Sequence, residues 1–339
     1  MVEYTIDQLE GYVEGLYWFG KGNHELVRLP SSSFSQLRKD VAFLATNTAG
    51  GCIRFKARTA SIGIEIVMQP SRAYEKFSRA GQCGIDVYAD GRYIHTFIPP
   101  RDGYFISVAE TDSSRAHEYA IYLPTYASIE LKSICVDEDI KPPVPHAIEK
   151  PIVFYGSSIT QGAYASRPGL AYPAQIGRLL DVETINLGFS GNGKCEPEVA
   201  KLVSQIDASC LVMDAGGNLT APVEEGLIQS RYPAFLNVIR ARHPKMPILI
   251  NNMQHIGAAL WNVEFRRLCD KVRQAIKETY DLLVRSGDRN VHYVDGLDMI
   301  GPDDMDCTAD GTHANDLGFH RYVSVMAPVL KRILVDGRY

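Results

Sequence analysis

Four short stretches of this chain hold residue types that can carry acyl-transfer chemistry. In Gly156-Ser157-Ser158-Ile159-Thr160, Ser158 offers a hydroxyl nucleophile. In Asp310-Gly311-Thr312-His313, His313 offers a base for that hydroxyl and Asp310 a carboxylate to hold the imidazole. The D-x-x-H spacing lets both side chains converge when the segment turns at the start of a helix, and an ionised Asp310 would stabilise the imidazolium formed during attack. The other two stretches are glycine-rich: Asn186-Leu187-Gly188-Phe189-Ser190-Gly191-Asn192-Gly193 and Asp214-Ala215-Gly216-Gly217-Asn218. Glycine lets a backbone amide approach a ligand closely, so the Gly191 amide, the Asn218 side chain and the amide of Ser158 itself are candidate donors to an oxyanion. Taken singly, a serine in a tight turn, a Gly-rich loop and an Asp-Gly pair are ordinary turn chemistry. Their joint placement is what points to a site.

The elements that would position these residues are legible around them. Ile152-Val153-Phe154-Tyr155 is an apolar run suited to a buried parallel strand, and it breaks at Gly156 into the two serines. Further strands are expected at Glu183–Leu187, Cys210–Asp214, Pro247–Asn251 and Val291–Val294. Helical periodicity falls at 171–180, with Pro173 in its first turn, and at 197–206, 222–242, 261–285 and 315–334. The 222–242 helix is expected to be interrupted near Pro233. Five strand–helix units imply a three-layer α/β/α sandwich on a mainly parallel five-stranded, flavodoxin-like sheet. Ligands in such folds sit beyond the carboxyl ends of the strands, where the four stretches fall.

The preceding half has a different period. From Cys52 to about Val136 the chain alternates apolar and polar residues in short runs, separated by turn signals such as Ala89-Asp90-Gly91 and Arg101-Asp102-Gly103. Seven or more strands without a helix predict an all-β sandwich with jelly-roll connections. Leu26–Leu44 is expected to add one or two edge strands. The charged, proline-rich run 137–150 reads as a connector, giving a β-sandwich domain over 1–140, a linker over 141–150 and an α/β/α domain over 151–339.

Composition excludes several classes. The 339 residues carry a formal net charge of −5, which offers no basic field for nucleic acid. No apolar run approaches a membrane span, and the acidic start M-V-E-Y-T-I-D lacks the pattern of a signal peptide, so a cytoplasmic location is expected. Seven cysteines without a CxxC pair suggest free thiols. No metal-ligand spacing, Walker A pattern or Rossmann fingerprint is present, so neither metal nor cofactor is expected. The expected partner is a small-molecule acyl ester; a homo-oligomer is left open.

The four stretches together resemble the blocks of the SGNH (GDSL-type) esterase and acylhydrolase superfamily, over about 152–334. G-S-S-I-T resembles its first block, N-L-G-F-S-G-N the second, G-G-N the third and D-G-T-H the fifth. The resemblance implies a Ser158–His313–Asp310 triad with an oxyanion hole of Ser158, Gly191 and Asn218. Ser157 stands where the name-giving family has Asp, and Leu219 follows Asn218 where many members have Asp. Gly84-Ile85-Asp86-Val87-Tyr88 resembles the G-x-D-L-Y motif of a β-sandwich that precedes some bacterial SGNH domains, a subgroup with acylhydrolases and an acyltransferase acting on a small aromatic natural product. That implies cleavage of a short acyl ester on a sugar or natural-product scaffold. The alternatives are acyl transfer to an alcohol, and a non-catalytic carbohydrate-binding protein.

Other residues complete the reading. Asp86 and Tyr88 lie on one strand face and are expected to serve a domain interface, with substrate contact as the alternative. Tyr17, Trp18, Phe19 and Tyr74 suit either sugar contact or packing. Gln254 and His255, after the fourth strand, and Trp261, at the head of the long helix, are candidates for lining the substrate. Cys195 borders the second block without a base beside it, and His320 reads as structural.

Overall fold

The structure, a computed structural model, describes every residue except 71, 73, 222, 223 and 337–339. Among the described residues nine strands build the first half: β1 (Val2–Thr5), β2 (Val13–Glu14), β3 (Cys52–Ala57), β4 (Ser61–Met68), β5 (Ile85–Ala89), β6 (Arg92–Phe97), β7 (Gly103–Glu110), β8 (His117–Tyr122) and β9 (Ile129–Val136). They form two antiparallel sheets, β1-β9-β4-β7 and β2-β3-β8-β5-β6. Alternation decides which side chains go inward: Ile62, Ile64, Ile66 and Met68 of β4 meet Phe55, Tyr119 and Ile121 of the opposite sheet in one core. Pairing of β1 with β9, β3 with β8, β4 with β7 and β5 with β6 is that of one long hairpin wrapped into a jelly roll. At the hairpin tip Asp90 and Gly91 have φ of 48° and 73°, the type I′ geometry that an Asp-Gly pair favours.

Two expectations for this half need correction. Leu26–Leu44 forms no strand: Ser31–Gln36 is a 3₁₀ turn and Lys39–Ala45 an α-helix. Val41, Leu44 and Ala45, spaced by three and four, are its buried residues, a helical period rather than an alternating one. A five-residue helix, Arg79–Cys83, also lies between β4 and β5, capped by the Ser78 side chain. Trp18 and Phe19 pack in the cores.

The second half carries β10 (Ile148–Gly156), β11 (Val182–Gly188), β12 (Cys210–Asp214), β13 (Ile248–Asn251) and β14 (Val291–Val294), all parallel, in the order β11-β10-β12-β13-β14. β10 starts inside the stretch read as connector, and Pro151 falls where its register shifts between Ile148 and Ile152, so the missing N–H coincides with the irregularity. Residues of β10 alternate between two cores. Val153 and Tyr155 face the helices Pro197–Val203, Leu227–Arg242 and Val263–Arg285; Ile152 and Phe154 face Tyr172–Leu180 and Asp316–Lys331.

Pro233 does not interrupt its helix, which runs unbroken from Leu227 to Arg242. Tyr232, Phe235, Leu236 and Ile239 are buried on both sides of it, and that packing outweighs the roughly 3 kcal/mol that an interior proline costs. The first two residues of the expected 222–242 helix lie outside the described residues. The 261–285 pattern is split at Asn262, whose side chain caps the longer helix by accepting from the Phe265 amide at 2.9 Å.

The G-x-D-L-Y-like motif fastens the halves together. Asp86, fully buried, accepts from Arg167 Nη1 and from the Gly169 amide, both at 2.8 Å, and from Thr96 Oγ1 at 2.7 Å. Tyr88 Oη also takes Arg167 Nη1. A Cβ on Gly169 would lie 2.6 Å from Tyr88 Oη, so the motif's close approach requires glycine there. Replacing Asp86 by Ala strands the Arg167 guanidinium in a largely buried place. It should lower the unfolding free energy by about 3 kcal/mol, read from urea melts of the two proteins.

Candidate active site

The site begins where three strands end level. Gly156 of β10 is in register with Gly188 of β11 and with Asp214 of β12, so the three following loops leave the sheet at one height. In this strand order the connections after β10 and β12 depart to opposite faces, which opens a crevice between them. Ser157 caps the four-residue helix Ser158–Gln161, its hydroxyl accepting from the Ile159 amide, and Gly162 at φ 105° ends it. Ser158, first in that helix, is 7 % exposed at the crevice.

The second component is the loop before the last helix. Thr308 and Ala314 form an antiparallel bridge, and the Ala309 amide donates to His313 O at 2.8 Å, closing the loop. Within it Asp310 Oδ1 accepts from the amides of Thr312 and His313 at 3.0 and 2.9 Å. The same carboxylate meets His313 Nδ1, at 2.9 Å from Oδ2. His313 Nε2 stands 2.9 Å from Ser158 Oγ. Burial pushes the Asp310 carboxyl up, but the amide and imidazole of His313 more than offset it, and it stays below the usual carboxylate range. An anionic Asp310 favours the proton on Nδ1 and leaves Nε2 free to accept from the serine.

Two further loops bring donors. Phe189-Ser190-Gly191-Asn192 is closed by the Asn192 amide donating to Phe189 O at 2.8 Å, and Gly191 has φ 68°. That is a type II turn, whose third position calls for glycine, and the Gly191 amide stands outside the turn's own hydrogen bond. After β12, Asn218 Oδ1 accepts from the Gly193 amide at 3.0 Å. This bond holds the side-chain amide in one orientation, with Oδ1 engaged and Nδ2 as its donor end.

The remaining candidates lie at different depths. Gln254 is buried and engaged at both ends of its amide, accepting from Tyr322 Oη at 2.6 Å and donating to Thr312 O, so it supports the loop of Asp310 and His313 from beneath. His255 is buried, with Nε2 unpartnered among the described residues; burial, then Arg273 and Arg266, hold its imidazole below the usual range. Trp261 is 89 % exposed on the short helix Ala258–Trp261, whose preceding Gly257 amide donates to Gly311 O at 2.6 Å. Cys195 is buried, its thiol pushed far up by burial, and His320 is exposed. All seven cysteines are unpaired.

Sequence reasoning missed four residues around the site. Arg28, almost fully buried, donates to the carbonyls of Leu44, Asn47, Asn186 and Gly188. Gln161 accepts from the Ser190 amide and donates to Thr125 O and Asn47 Oδ1. Tyr164 lies against His313, with ring centroids 5.3 Å apart. Asp214 accepts from Thr160 Oγ1, Tyr172 Oη and Asn251 Nδ2 at 2.6–2.8 Å. The signal for Asp214 was present, as a carboxylate closing the apolar strand C-L-V-M-D; the others are single polar residues in irregular segments.

The fold and the paired domains define a hydrolytic enzyme of the SGNH class. Residues 149–331 match the model of the GDSL-like Lipase/Acylhydrolase family, and residues 3–141 that of the N-terminus of Esterase_SGNH_hydro-type proteins. The chain belongs to the GDSL-like lipase/acylhydrolase family. A solved chain described as a GDSL-like lipase from Bacteroides ovatus is 29% identical, with 98% of each chain covered and a TM-score of 0.87. The salicylyl-acyltransferase of a tetracycline biosynthetic pathway is 18% identical over 95% of each chain, with a TM-score of 0.78. A family two carbohydrate esterase from Clostridium thermocellum, in complex with cellohexaose, is 14% identical, with 84% of this chain and 92% of that one covered and a TM-score of 0.63. These last two share the fold. No curated protein matches the chain. Among the described residues no helix is long and apolar enough to cross a membrane, and no group of His, Cys, Asp and Glu could hold a metal ion.

Burial pushes the Asp214 carboxyl up to about 6, with its three hydrogen bonds pulling the other way. A carboxyl raised in the fold stabilises it while protonated, and that stability is lost as pH rises from the ordinary value near 4 through about 6. Asp214→Asn removes this titration. Between pH 4 and pH 7 the variant should gain about 3 kcal/mol on the wild type, as judged by denaturant melts at both pH values.

Proposed function

We propose that the protein is a serine esterase that cleaves a short acyl ester through an acyl-enzyme. The observation that carries the reading is the relay of two 2.9 Å contacts, Ser158 Oγ to His313 Nε2 and His313 Nδ1 to Asp310 Oδ2. His313 removes the Ser158 proton as Oγ attacks the ester carbonyl, and ionised Asp310 holds the ring and stabilises its cation. The oxyanion is met by the amides of Ser158 and Gly191 and by Asn218 Nδ2. His313 then passes the proton to the leaving alcohol. Water, deprotonated by the same imidazole, attacks the acyl-serine and regenerates the hydroxyl. No step calls on a metal or cofactor. The imidazole and carboxylate side chains are 23% and 24% exposed, and a base open to solvent favours a short acyl group carried on a larger scaffold, such as a sugar or compact natural product.

Ser158→Ala should abolish turnover of p-nitrophenyl acetate and labelling by a fluorophosphonate probe; residual turnover at the wild-type rate would sink the assignment. Asn218→Ala should stay folded, with a thermal melt lowered a few degrees by loss of the Gly193 contact, yet lose about 10²–10³-fold in kcat, and Asp310→Asn should lose about 10⁴-fold, both read from initial rates.

A further inference from the structure

The imidazole side of the crevice is walled by aromatic rings from both halves of the chain. Tyr164, in the loop after Ser158–Gln161, lies over His313 with their planes 32° apart. It has φ 64°, a left-handed conformation that a bulky residue holds only when its surroundings impose it. Phe77, from the segment between β4 and β5, meets Tyr164 edge-on, with centroids 4.7 Å apart. Behind Phe77 stand Tyr74, stacked at 5.0 Å, and Tyr126 at 4.8 Å, and Tyr126 Oη donates to Ser158 O at 3.2 Å. Phe77 and Tyr164 are each half-buried and keep part of their surface open.

The chemistry assigns this wall to one part of the substrate. The imidazole that takes the serine proton returns it to the leaving oxygen, so the leaving alcohol must reach His313 Nε2. The candidate oxyanion donors Gly191 and Asn218 belong to the loops after β11 and β12, whereas Tyr164 follows β10 and packs on the His313 ring itself. Groups beside the imidazole therefore touch the alcohol rather than the carbonyl oxygen. We infer that Phe77 and Tyr164 form the subsite for the alcohol part of the ester, and that this alcohol is a ring with an apolar face, a pyranoside being the class that fits. Aromatic surface packs on such a face, while the Tyr164 hydroxyl, close to Asp310, offers a polar contact at its edge. The β-sandwich thereby takes part in choosing the substrate.

The inference rests on Ser158 being the nucleophile, and its test holds the acyl group constant. Initial rates are compared on ethyl acetate and on a mono-acetylated methyl pyranoside, for wild type, Phe77→Ala and Phe77→Leu, with Ser158→Ala as the control. Loss of one aromatic contact is expected to lower kcat/KM for the pyranoside about tenfold more than for ethyl acetate, chiefly through KM. Phe77→Leu removes the ring while opening the packing far less than alanine does, and should show the same direction. Equal losses on both esters would mean that the wall only supports His313, and would overturn the inference; so would an absence of loss on either, or a wild type that does not favour the pyranoside. Turnover surviving in Ser158→Ala would instead refute the nucleophile, a separate result.

Discussion

Everything at the candidate site depends on how closely backbone packs at the carboxyl edge of the parallel sheet. A Cβ on Gly156 would sit 2.0 Å from Thr160 Oγ1 and 2.5 Å from Asp214 O; one on Gly188 would sit 2.2 Å from the Gln161 amide, and one on Gly193 2.3 Å from Gly156 O. Each is backbone or a short side chain, so nothing can swing aside. Three loops can meet over one serine because three positions carry no side chain. The motif glycines thus have two separate duties: Gly191 supplies a turn conformation, and Gly156, Gly188 and Gly193 supply proximity.

The β-sandwich is bound to that edge by polar contacts that a detachable module would not share. Arg28 reaches from the N-terminal half to the carbonyls of Asn186 and Gly188, just before the Gly191 turn, and lies over the Phe189 ring. Gln161, three residues after Ser158, is held by Asn47 and Thr125 of the sandwich while it accepts from Ser190. A Cβ on Gly50 would meet Asn186 Cβ at 2.6 Å. Loops of the jelly roll therefore set the position of two loops that carry candidate catalytic groups, and the Asp86–Arg167 clamp fixes the register between the halves.

Much of this was legible because it is periodic or compositional. Five parallel strands and the alternating strands of the sandwich announce themselves through burial, and the serine, glycine, asparagine and Asp–His blocks through their places at strand ends. The failures are equally physical. Leu26–Leu44 is polar and aromatic enough to suit an edge strand, and only the spacing of Val41, Leu44 and Ala45 betrays a helix packed on the second domain. Pro233 breaks a helix by propensity, but tertiary burial on both sides overrides it. Arg28 in L-V-R-L-P reads as an exposed cation until long-range contacts bury it. The left-handed Tyr164 has no sequence signature, and the rings it packs against, Phe77 and His313, lie 87 and 149 positions away.

Arg28 and Asp214 show why ionisable groups are buried behind the serine at all. Strands of a parallel sheet finish with carbonyls that no further strand can satisfy, and an unpaired buried carbonyl costs about as much as a lost hydrogen bond. On the β11 side the guanidinium supplies several N–H groups to those carbonyls at once. Burial lowers its pKa only to about 9, so it remains charged at neutral pH. On the β12 side the difficulty is reversed: Thr160, Tyr172 and Asn251 present donors, and Asp214 accepts from all three. Neither group pairs with the other. Each takes up the backbone and side-chain polarity left at its own side of β10, and between them the helix that starts at Ser158 is anchored by Gln161 on one side and Thr160 on the other.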